Sequence, residues 1–136
     1  MSRAVVIFCA LIQATLASAQ TTPRALTPDE IQGLTMSIQS CWNIGTLSPE
    51  ALAIDIKVRF AMDDEGRPIA ESLTLVQSPP SATPRAVQEA FAAARRAVLR
   101  CGQYGYDLPL ETRVRWDEIV VSFDAIRPEG GFDVSQ

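Results

Sequence analysis

The chain has 136 residues, 12 of them basic and 16 acidic, giving a net charge of −4, and it contains no histidine. The acid excess argues against nucleic acid as a partner, since that affinity rests on phosphate neutralisation by Lys and Arg. The missing histidine excludes His-based triads and histidine zinc sites. The length and a 47% hydrophobic content fit one small globular domain with a modest core.

Residues 1–19 have the form of an export signal. Arg3 is a minimal positive start, residues 4–12 are an unbroken apolar run, and Ala17-Ser18-Ala19 has the small-x-small pattern of a cleavage site. The run meets Gln13, Thr15 and Ser18 before reaching the roughly 20 apolar residues that a membrane span needs. The expected outcome is cleavage after Ala19 and a periplasmic location, the alternative being an uncleaved anchor. Cys9 follows the bulky Phe8, which does not suit lipoprotein-type processing, so no lipid anchor is expected. Cleavage removes Arg3, so 12 basic residues become 11 against 16 acidic ones and the net charge moves from −4 to −5. That sign also argues against docking on anionic lipid. Cys41 and Cys101 are then the remaining cysteines. In an oxidising compartment their simple reading is a disulfide, and two buried free thiols are the alternative.

Residues 20–26 read as a flexible lead. At Thr27-Pro28-Asp29-Glu30 the chain carries a capping box with proline at the first helical position. The spacing of Ile31, Leu34, Ile38, Cys41 and Trp42 predicts a helix with one buried stripe, ended by Asn43-Ile44-Gly45. From Leu52 the period becomes two, with Leu52, Ile54, Ile56, Val58, Phe60 and Met62 on one face of a long strand. Asp63-Asp64-Glu65-Gly66-Arg67-Pro68 is a turn in which Gly66 can take positive φ. A second strand is expected over residues 69–76, with Leu73 and Leu75 on one face. Thr83 is a possible cap for a helix over residues 84–100, its stripe made by Val87, Ala90, Phe91, Ala94, Val98 and Cys101. Gly102 fits a left-handed cap there. A loop over residues 103–112 and a last strand over residues 116–126, with Ile119, Val121 and Phe123 inward, complete the domain at residues 27–126. Residues 127–136 read as a flexible tail.

Four stretches carry a family resemblance in their order: Leu26-Thr27 into Cys41-Trp42-Asn43-Ile44-Gly45, Leu47-Ser48-Pro49-Glu50-Ala51-Leu52, Asp64-Glu65-Gly66-Arg67-Pro68, and Phe91-Ala92-Ala93-Ala94-Arg95-Arg96-Ala97-Val98 into Arg100-Cys101-Gly102. The chain resembles the C-terminal domain of TolA proteins, closest to the alphaproteobacterial type, and more distantly that of TonB proteins. The resemblance implies an α+β fold of α-β-β-α-β order, a three-stranded antiparallel sheet covered by two helices. It also implies a binding module, not an enzyme, with no cofactor, metal or small-molecule substrate. The implied partner is a periplasmic protein or peptide of the Tol-Pal system, of the TolB type. The family's membrane anchor and stalk have no counterpart before Thr27, so the expected act is partner binding and not force transduction.

Family members bind by strand addition, in which an extended segment pairs with an exposed sheet edge. If the sheet has the family order, the last strand is that edge, and the binding residues are Glu118, Ile119, Val120, Val121, Ser122 and Phe123. An edge simply guarded by Asp117, Glu118 and Asp124 is the competing account. Trp42 and Trp116 are interface anchors or core residues, and Tyr104 and Tyr106 a contact surface or a cover over the core edge. Asp63, Asp64 and Glu65 read as a solvated turn. Arg95, Arg96 and Arg100 read as a small basic stripe, either a solvated face or a contact for an acidic peptide. There is no Gly-x-Ser-x-Gly elbow, phosphate loop or Cys-x-x-Cys pair, so the enzyme alternatives, a hydrolase or a thiol protein, have no motif behind them. A periplasmic inhibitor on the same scaffold is a further alternative.

Overall fold

A computed structural model describes residues 22–125 and 134–135. The expected signal, and most of the expected tail, lie outside the described residues. The capping box forms as the sequence predicts. Glu30 N donates to Thr27 Oγ1 at 3.3 Å, Thr27 N donates to Glu30 Oε2 at 2.9 Å, and helix α1 (Pro28–Ser40) runs from there with Leu34 and Ile38 buried. Arg24 clamps the same carboxylate from outside with two bonds of 3.0 and 2.7 Å.

After α1 the structure departs from the expected early strand. Ser48 caps a single helical turn, α2 (Pro49–Leu52), its Oγ accepting from Ala51 N at 3.2 Å. Ser-Pro-Glu is a helix start, with a cap, a proline at the first position and an acid in the first turn, and it overrides the alternation at Leu52. Strand β1 therefore covers Asp55–Phe60, with Ile56, Val58 and Phe60 at most 1% exposed.

The second strand is also shorter than expected. Ala70–Ser72 form a 3-10 turn in which Ser72 Oγ accepts from Ala61 N at 2.8 Å and donates to Ile69 O at 2.6 Å, replacing a backbone ladder step. Strand β2 is Thr74–Gln77, and all four of its side chains are exposed, Leu75 included. Leu73, expected on the same face as Leu75, is buried, while Leu75 is not, for two reasons. β2 lies at the outer edge of the sheet, and the register slips by one residue at Val76 between the Lys57–Gln77 and Val58–Leu75 pairs, the mark of a β-bulge.

Thr83 caps helix α3 (Pro84–Cys101), its Oγ1 accepting from Ala86 N at 3.2 Å. The buried face is made of Ala86, Ala90, Ala93, Ala94, Ala97 and Val98. It is rotated from the expected stripe, so Val87 and Phe91 sit at its margin. Alanines at this spacing let α3 lie close to its neighbours at little conformational cost. Residues 110–112, expected as loop, form a second 3-10 segment with the three that follow, Leu110–Arg115, capped by Trp116, and strand β3 covers Ile119–Asp124, starting later than the expected residue 116. Trp116 is 2% exposed; its Nε1 donates to Thr112 Oγ1 at 2.9 Å, and that hydroxyl donates to Pro109 O at 2.7 Å.

The domain is α+β, with an antiparallel sheet of β2-β1-β3 as expected, and one addition: a short strand β4 (Val134–Ser135) pairs outside β3. Ile56, Val58 and Phe60 sit opposite Phe123, Val121 and Ile119 on the inner face, all buried under the helices. The Cys41–Cys101 disulfide joins the C-terminal ends of α1 and α3 across a sequence separation of 60, with the Cα atoms 5.8 Å apart.

Candidate functional site

The expected binding strand is built by alternation. Ile119, Val121 and Phe123 are 0%, 0% and 2% exposed and anchor β3 to the core, while Val120 and Ser122 take the outer face. Opposite them stand Arg59 and Lys57 of β1. An added strand would therefore meet a rigid backbone whose inner side chains cannot give way. Glu118 lies just before the strand, exposed, with its Oε1 3.6 Å from Arg59 Nε. It lies outside the β1–β3 ladder, which starts at Ile119.

The edge is not bare. Val120 pairs with Ser135 and Val121 with Val134, so two of the positions expected to receive a partner are occupied by the chain itself. Both residues belong to the stretch expected as the tail. A single β-branched residue after Gly130-Gly131-Phe132-Asp133 gives no period to read, and that is why the sequence hides β4.

The other sequence candidates resolve into separate places. Trp116 is core, and Trp42 is half-buried, its ring edge-on to Phe123 at a centroid distance of 5.4 Å. Tyr106 is buried with its hydroxyl donating to Val98 O at 2.7 Å, and burial pushes its phenol well above the usual range. Tyr104 is 90% exposed. The acidic turn serves the hairpin. Asp63 Oδ1 accepts from Glu65 N at 2.9 Å and Arg67 N at 3.0 Å, and Arg67 pairs with both Asp63 and Glu65. Among the described residues, no three His, Cys, Asp or Glu side chains converge as a metal-ligand set.

Arg96 and Arg100, but not Arg95, line a groove of about 590 Å³ between α3 and the chain after α1. Its other lining residues are Cys41, Asn43, Thr46, Ala93 and Leu99. The sequence singles out the arginines, but Asn43 and Thr46, which come from a different segment, are brought to them only by the disulfide-linked packing of α1 on α3.

No family model, curated protein or solved structure matches this chain. Among the described residues no helix is long and apolar enough to cross a membrane.

Proposed function

We propose that this is a protein-recognition domain of the periplasm that takes up an extended segment by strand addition along β3. The observation that carries the reading is the β3–β4 ladder: the outer edge of β3 accepts an antiparallel strand at Val120 and Val121, from this chain's own residues. A partner strand would use the same backbone groups, with affinity from main-chain hydrogen bonds and preference from Val120, Ser122 and their neighbours Lys57 and Arg59. The disulfide fits an oxidising compartment. The resemblance to TolA C-terminal domains supplies the partner class, an extended peptide of a TolB-type protein in a Tol-Pal assembly.

The test is an NMR titration of the oxidised protein with the N-terminal peptide of the host's TolB-like protein. Amide shifts concentrated on residues 118–124 and 134–135 support strand addition at this edge. Shifts confined to β2, or none at millimolar peptide, remove the reading.

A further inference from the structure

We propose that the groove between α3 and the chain after α1 is a carboxylate-binding subsite for an acidic peptide segment of a partner protein, separate from the β3 edge. Arg96 and Arg100 stand one helical turn apart, so their side chains emerge as neighbours on one face of α3 and enter the same groove. Arg24, Arg59, Arg67 and Arg113 each pair with a carboxylate of this chain. Arg96 and Arg100 pair with none among the described residues, and no carboxylate lines the groove. Two like charges one turn apart disfavour a helix unless an anion offsets them. Lys57, Arg85, Arg95 and Arg115 likewise have no ion pair among the described residues; what sets Arg96 and Arg100 apart is that they share one groove whose lining has no carboxylate.

The facing wall adds donors. Asn43 Oδ1 is occupied, accepting from Gly45 N at 3.0 Å, which leaves the amide NH2 of Asn43 as the group free to donate. Thr46 contributes a hydroxyl, and Ala93 and Leu99 supply an apolar strip. Two guanidinium forks, an amide and a hydroxyl beside an apolar strip match a carboxylate side chain flanked by an aliphatic one. The Cys41–Cys101 bond ties the backbone of the two walls together, which sets the spacing between the segments that carry the donors. A nucleic acid or an anionic membrane would need a broad basic surface, and this protein's net charge of −4 offers none.

The experiment titrates the labelled, oxidised protein with four probes: a blocked hexapeptide alternating Glu and Leu, its Gln-for-Glu twin, inorganic phosphate, and phosphatidylglycerol vesicles. The expected result is that the Glu peptide moves the amides of Asn43, Gly45, Thr46, Arg96 and Arg100. The Gln twin, and the Glu peptide with R96Q or R100Q, bind about tenfold more weakly, as loss of a charge-assisted hydrogen bond predicts. Both variants keep the wild-type pattern on β1 and β3, since their side chains are solvent-exposed. Equal binding of the Gln twin, indifference to both variants, shifts lying outside the groove, or binding of phosphate or vesicles as strong as that of the Glu peptide would each overturn the proposal.

Discussion

Gly66 and Tyr106 meet backbone to backbone: Tyr106 N donates to Gly66 O at 2.8 Å, and a Cβ added to Gly66 would lie 2.7 Å from Tyr106 O. Gly66 has φ +76° and Gly105 φ +90°, so the β1–β2 turn and the loop after α3 dock through two glycines in left-handed conformations. Gly102 belongs to the same junction for another reason. Its φ is −92°, not left-handed as the sequence suggests, but a Cβ there would strike the Pro68 ring and the Tyr106 ring. The turn motif and the Arg-Cys-Gly motif are thus two halves of one contact.

G66A combines left-handed strain with a collision against rigid backbone, and should lower unfolding free energy by about 2–3 kcal/mol. Gly33 is the control. It sits inside α1 with nothing within 4 Å of an added Cβ, and G33A should stabilise by about 0.5–1 kcal/mol through helix propensity and chain entropy. Urea unfolding of both variants checks the pair. A destabilised G33A or a neutral G66A would contradict the packing described.

How much of this was legible follows from which forces are local. The Thr27 cap, the turn at Gly66 and the buried sets Ile56-Val58-Phe60 and Ile119-Val121-Phe123 are written in neighbouring residues. Period two shows that Leu75 alternates with its neighbours, but whether a helix lies over its strand depends on sheet order, which is non-local. The Gly102 role depends on Pro68, distant in sequence. The groove at Arg96 needs both ends of a disulfide to be placed before its second wall exists.

Replacing both Cys41 and Cys101 by serine should cost about 4 kcal/mol, the chain-entropy value for closing a loop of this length. That is a large share of the roughly 5–15 kcal/mol that holds a domain together. Chemical denaturation of the oxidised protein and the double variant measures it. In the folded, oxidised protein neither cysteine should react with a thiol reagent, and labelling of both would refute the staple.

Glu30 predicts an acid limb of stability. The Arg24 guanidinium, then the Thr27 amide, lower its carboxyl from the ordinary 4.5 to about 2. A carboxylate depressed in the folded state stabilises fully above its unfolded pKa, and that contribution disappears as pH falls through the folded value. The loss therefore spans the window from about 4.5 down to about 2. Glu89, lowered chiefly by the Ser48 backbone amide and then by its hydroxyl, acts with the same sign. Thermal midpoints from pH 7 to pH 2 should fall more steeply in wild type than in E30Q. Parallel curves would show that the clamp on Glu30 adds nothing.

The β3 edge is best tested at β4, not at β3 itself. Val121 is 0% exposed and paired with Val58 on one side and Val134 on the other, so proline there would damage the core along with the edge. Proline at Val134 instead removes a donor from the strand that occupies the edge and leaves β1–β3 intact. If a partner strand must displace β4, V134P should raise peptide affinity about fivefold, the equivalent of one net backbone hydrogen bond. V134T, which keeps strand propensity, should bind like wild type. Unchanged affinity in V134P would place the ligand elsewhere on the domain. Lowered affinity would make β4 part of the binding surface, a strand that the partner extends and does not replace.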